Sequence, residues 1–184
     1  MSIRMFLAGL LLLAPALAMP AGAAPQPELD KLFGQLAKAD NAEDAKPIEN
    51  RIAGLFRVSG SATIDLLMTR AEAALGAQDS KTAQQLLAAV TNLAPSYAEG
   101  WHARAGLEAA ANNDSGAMVS LQKTVRLNPR QFEAMDELAG MLEDYGDKAG
   151  ALKLYRRALA LDPQLEGAAA KVRELTRKTE GQDI

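Results

Sequence analysis

Three prolines, Pro95, Pro129 and Pro163, stand 34 residues apart, and each closes a Leu-x-Pro triplet: Leu93-Ala94-Pro95, Leu127-Asn128-Pro129 and Leu161-Asp162-Pro163. Other residue types keep the same interval: Ala71, Ala105 and Ala139; Ala83, Ala117 and Ala151; bulky Leu87, Leu121 and Tyr155; and Asp79, Asn113 and Asp147. A fixed period of this length marks stacked units, each of which buries its apolar face only against its neighbours. Such a chain offers a surface, so the period constrains function as well as fold.

Local chemistry makes each unit a pair of helices. Asp79, Asn113 and Asp147 are good N-caps for the second helix, since a side-chain oxygen can take a free backbone N–H. Asn128-Pro129 and Asp162-Pro163 place a capping residue ahead of a proline, which suits the first turn of the helix that follows. Ala94 cannot cap ahead of Pro95, and there Ser96 with Glu99 is expected to form a capping box. The recurring alanines let the two helices of a unit approach closely, and short connections make them antiparallel.

The spacing and what sits at each phase resemble the tetratricopeptide repeat (TPR). Three units follow, 64–97, 98–131 and 132–165. The large fourth position of that family is Leu67, Trp101 and Met135, and the small eighth is Ala71, Ala105 and Ala139. The twentieth is alanine in all three units, and proline falls at the thirty-second. The resemblance covers about 100 of 184 residues and implies an all-α, right-handed superhelical solenoid of three TPR helix pairs. Two phases depart from the pattern. The seventh is Arg70 and Arg104 before Leu138, and the eleventh is Ala74, Glu108 and Leu142. Arg104 and Glu108, four apart, are placed to pair on one helical face.

The ends differ from the middle. In residues 1–24, Arg4 precedes an apolar run, 5–14, then Pro15, then small residues ending in Ala16-Leu17-Ala18 and Ala21-Gly22-Ala23-Ala24. That is the pattern of a secretory signal peptide, with cleavage near 18 or 23 and an uncleaved anchor as the alternative, and the run is too short for a membrane span. Residues 25–61 read as a linker and a helical pair. Leu29, Leu32, Phe33 and Leu36 make one stripe, and Ile48, Ile52, Leu55 and Phe56 a second behind Asp44 as cap and Pro47 in the first turn. This pair is expected to cover the first repeat, because end units must hide an open stacking face. Residues 166–184 are expected to supply a capping helix and tail, with Leu165, Ala169, Val172 and Leu175 as the apolar stripe.

Composition closes several classes of function. Zero cysteines exclude thiol catalysis, cysteine zinc sites and a disulfide framework. The formal charge is −3 with no basic block, which argues against nucleic acid. His102 is the one histidine, with no catalytic triad, zinc-helix or phosphate-loop motif. The expectation is therefore a non-enzyme with no cofactor and no metal.

The resemblance places the first helix of each unit on a concave face, chiefly through its second, fifth, ninth and twelfth positions. These are Asp65, Met68, Glu72 and Leu75; Glu99, His102, Gly106 and Ala109; and Glu133, Asp136, Gly140 and Glu143. Family grooves that grip acidic C-terminal tails carry Lys, Asn and Arg there, whereas this one carries acids and small residues. A mid-helix glycine costs roughly 1 kcal/mol against alanine, so Gly106 and Gly140 imply a close approach, either of a neighbouring helix or of a ligand backbone. The expected function is an exported scaffold in the periplasm or envelope of a bacterium, binding a basic and apolar protein segment in the groove. The alternatives are a structural oligomer using convex or end surfaces, and a binder of small molecules or cell-wall fragments.

Overall fold

The computed structural model describes residues 26–179 and Gly181, and the expected signal segment, 1–24, lies outside them. Among the described residues there are nine helices and no strand: α1 (Gln26–Leu36), α2 (Ala42–Phe56), α3 (Ala62–Gly76), α4 (Ser80–Leu93), α5 (Ala98–Ala110), α6 (Asp114–Leu127), α7 (Phe132–Asp144), α8 (Lys148–Leu161) and α9 (Ala168–Thr179). Helices α3–α4, α5–α6 and α7–α8 are the three repeat pairs.

The turn inside each pair is the same device three times. The N–H groups of Asp79, Asn113 and Asp147 donate to the carbonyls of Ala74, Glu108 and Leu142, and those of Gln78, Asn112 and Gly146 to Leu75, Ala109 and Glu143. This closes the first helix with a Schellman motif, which needs one left-handed residue. Gln78 (φ 59°), Asn112 (φ 56°) and Gly146 (φ 87°) supply it. The next residue then turns its side chain forward: Asp79 accepts from the Thr82 N–H, Asn113 from Gly116 and Asp147 from Gly150. One residue thus ends a helix and caps the next.

Between pairs the proline triplet works differently from the expectation. Asn128 and Asp162 do not cap the following helix. They accept from the N–H of Arg130 and Gln164, two residues on, inside turns closed by Gln131 N–H to the Asn128 carbonyl and by Leu165 to Asp162. Proline holds the second position of each turn, where its fixed φ fits. The Ser96–Glu99 capping box does not form: Tyr97 is the N-cap of α5, without a side-chain cap, and Glu99 accepts from Gln131 Nε2 instead (2.6 Å). In α2 the cap is Asn41, not Asp44. Asn41 accepts from the Asp44 N–H and donates to its carboxylate, which leaves Pro47 inside the helix.

The small residues at the eighth and twentieth phases sit where paired helices touch, with Ala71 and Ala105 1% exposed and Ala83, Ala117, Ala139 and Ala151 fully buried. Enlarging Ala117 or Ala151 to Leu is expected to cost roughly 1–3 kcal/mol by overpacking, measured by chemical denaturation. The same change at exposed Gln122 should cost far less. Glu108, the odd residue of the middle pair, is satisfied: Arg104 Nε reaches it at 2.9 Å, and Ser120 Oγ of α6 donates to it at 2.6 Å.

The N-terminal pair corrects the expectation of a cap on the first repeat. Leu29, Leu32, Phe33, Leu36, Ala45 and Ile52 join the core shared by the second and third pairs, where Phe33 meets Phe132 edge-on at 6.3 Å. Arg130 stacks on Phe33 (4.0 Å) and pairs with Asp30 (2.5 Å), and Gln164 Nε2 donates to the Ala39 carbonyl (3.0 Å). At the other end of α2, the Tyr97 hydroxyl donates to the Arg57 carbonyl (2.7 Å), so this helix reaches from the third pair back to the first. The first pair lies in a second core cluster that takes in Leu107 of α5, and among the described residues its outer stacking face is uncovered. At the third phase Leu66 is 52% exposed, whereas Gly100 is buried against α4 and Ala134 is fully buried. At the far end α9 covers the third pair through Ala168 and Leu175; it starts later than expected, and Ala169 is exposed.

Candidate functional site

Burial divides the twelve groove candidates by row. At the second and fifth positions Met68 is buried, and Asp65, Glu99, His102, Glu133 and Asp136 are half-buried. At the ninth and twelfth, Glu72, Leu75, Gly106 and Ala109 are exposed, while Gly140 and Glu143 are half-buried. The covering elements are the two outside the repeats. On the third pair, α2 places Lys46 near Glu133, and α9 puts Lys171 Nζ 3.0 Å from Glu143. Asp65 is occupied too, holding the Ser59 hydroxyl (2.6 Å) and N–H (3.0 Å) across the α2–α3 junction.

His102 is the hub of the covered row. Its Nε2 faces Glu137 at 3.2 Å and its Nδ1 faces Glu99 at 3.7 Å, with the ring 16% exposed. Burial opposes a charge on the ring, but hydrogen bonds to Glu137 and Glu99 outweigh it and push its pKa up to about 10. The ring is therefore an imidazolium at neutral pH, the counter-ion of an acidic surface. Burial also holds Glu133 and Asp136 above the usual carboxylate range. Glu137 and Gln131, which complete this cluster, fall outside the four concave phases, and no repeat position points to them.

The two glycines resolve differently from a helix-packing role. A Cβ at Gly106 would meet nothing within 4 Å, and one at Gly140 only the Tyr155 hydroxyl at 3.6 Å. The glycine of close approach is Gly100, whose Cβ would lie 2.6 Å from Val90 Cγ1. Gly106 therefore opens onto free space, and Glu72, Leu75 and Ala109 are exposed as well. Among the described residues no cluster of His, Asp or Glu is placed to hold a metal, and no helix is long and apolar enough to cross a membrane.

No family model matches the chain. A TPR repeat-containing protein of Rhizobium etli is 33% identical over 161 residues, covering 88% of this chain and 79% of that protein. The chain belongs to the tetratricopeptide-repeat family. Solved TPR structures share its fold at low identity. The first TPR of Spaghetti (RPAP3), bound to an HSP90 peptide, has a TM-score of 0.57 at 16% identity over 64% of this chain and 93% of that one. MamA has a TM-score of 0.59 at 15% identity over 78% and 87%. In this TPR chain, elements outside the repeats contact Asp65 and Glu143, while Glu72, Leu75, Gly106 and Ala109 stay exposed.

Proposed function

We propose that this TPR chain is an exported scaffold of a bacterial envelope that grips one segment of a protein partner along the open half of its concave face. The observation that carries this reading is that Glu72, Leu75, Gly106 and Ala109 are all exposed, whereas the second and fifth positions of the three units are buried or half-buried. Leu75 gives apolar contact, Glu72 gives charge, and Gly106 leaves room for a backbone. The segment that fits is basic and apolar. A peptide is what the Spaghetti repeat holds in its structure, which supports the same use here. Export rests on residues 1–24, with Arg4, the apolar run and the Ala-x-Ala sites.

Proximity labelling in the envelope, followed by pull-down with the mature chain, identifies the partner, and two variants then test the site. Gly106→Leu is expected to block binding while the chain stays folded, and Glu72→Lys to slow association and flatten its salt dependence. Binding at unchanged rate and salt slope in both would remove the groove from consideration. Intact mass of the envelope fraction checks export, and a full-length cytosolic product would contradict it. The exposed Leu66 face favours one second reading, an end-to-end oligomer, which sedimentation would report as a dimer lost in Leu66→Glu.

A further inference from the structure

In this stack the second helix of a pair turns one row of residues toward the pair that follows. On α4 that row is Lys81, Gln84 and Ala88, which line a cavity of about 370 Å³ with Arg104, Leu107 and Asn113 of the next pair. The same phases on α8 are Ala149, Leu152 and Arg156. Together with Lys153, Arg157 and Thr179 they line an open cleft of about 540 Å³ against α9. Here the following pair is represented by α9 alone, and among the described residues no second helix comes after it. In the α4 cavity the second helix that follows contributes its cap residue Asn113 to the wall, and beside the α8 cleft no described residue takes that place.

Its charge is unlike that of the rest of the chain. Residues 148–184 carry eight Lys and Arg against five Asp and Glu, whereas residues 1–147 carry 12 against 18. Lys153, Arg156 and Arg157 are exposed on one face of α8, over a floor that includes buried Leu152. Arg156 donates to Thr176 Oγ1 (3.1 Å) and fastens α8 to α9, while Lys153 and Arg157 have no ion pair or hydrogen bond among the described residues. We propose that this cleft seats an amphipathic helix of a partner protein, packed where the second helix of a fourth pair would lie, with its carboxylates toward Lys153 and Arg157. Helix-in-groove docking uses anchors at helical spacing, and cations four apart on α8 match acids so spaced on the incoming helix. A second copy meeting cleft to cleft would set these cations against themselves, because a two-fold contact repeats one patch on both sides.

The test uses the mature chain and a fluorescent amphipathic peptide of about four helical turns with Leu and Ala on one face and Glu on the other. Its counterpart with Lys for Glu and an unstructured polyglutamate of equal charge serve as controls. Fluorescence anisotropy is expected to show salt-sensitive binding of the Glu peptide alone. The double variant Lys153→Glu/Arg157→Glu, at two exposed positions, should weaken it about tenfold or more while leaving the melting curve in place. Glu72→Lys in the concave groove should leave it unchanged, so this site and the proposed groove fail or stand separately. The proposal is overturned if the Glu peptide does not bind, if polyglutamate or the Lys peptide binds as well, or if the double variant binds equally. It is also overturned if sedimentation shows the chain alone self-associating through a contact that the double variant abolishes.

Discussion

Asp162→Asn is expected to stabilise the folded chain by about 2 kcal/mol at neutral pH. Asp162 is fully buried, and its Oδ1 accepts from the Gln164 N–H at 3.0 Å, while Oδ2 finds no donor among the described residues. Burial is the main cause that pushes its pKa from 3.8 up to about 6; the nearby Glu49 carboxylate adds to the rise, and Lys46 works against it. An acid whose pKa is raised on folding binds its proton more tightly in the folded state. Its stabilisation is therefore complete below about pH 4 and is lost as the pH climbs through about 6. Asparagine keeps the acceptor for Gln164, carries no charge to desolvate and turns a donor toward Glu49. The chain already contains the precedent, because Asn128 occupies the same phase of the middle unit and makes the same turn with Arg130 (3.1 Å). In urea unfolding at several pH values, the gap between variant and parent should be near zero at pH 4 and full at pH 7. A gap that is constant with pH would mean that Asp162 does not titrate in this window.

The fold was legible where the forces are local. Asp79, Asn113 and Asp147 cap their helices because an N-cap bond spans three residues, and the alanines at the eighth and twentieth phases declare close packing by their size. What escaped was long-range or ambiguous locally. Nothing in Leu29, Leu32 and Phe33 says that their stripe meets Phe132 rather than the first repeat, since one amphipathic helix fits any apolar face. Asn41 and Asp44 are both good caps three residues apart, and only the reciprocal bond between them decides which one starts α2.

The candidate site shows the same division. Phase alone nominated twelve concave residues, but which of them remain bare is decided by α2 and α9, elements that the period does not describe. Glu143 is tied to Lys171, and Asp65 to Ser59, by contacts made outside the repeat pattern. His102 looked isolated in the sequence because its partners Glu99 and Glu137 come from two helices.

One substitution made at two glycines of α5 should therefore have opposite results. Gly106→Leu places its side chain in open space and gains helix propensity, a stabilisation of somewhat under 1 kcal/mol. Gly100→Leu drives a Cβ to 2.6 Å from Val90 Cγ1, with Tyr97 Cδ1 at 3.3 Å, and valine has little rotamer freedom with which to yield. Overpacking there is expected to cost about 3 kcal/mol. The location magnifies the effect. The core of the first pair is a cluster apart from that of the rest, and it takes in Tyr97, Ala103 and Leu107, so contact with α5 ties it to the second pair. Forcing α4 away from α5 should uncouple the first pair, since stability in a stack depends on each contact between neighbours. Hydrogen exchange of α3 and α4 is then expected to quicken well before that of α7 and α8, and chemical denaturation should show an earlier first step. Equal changes in stability at positions 100 and 106 would mean that the first and second pairs do not stack through Gly100.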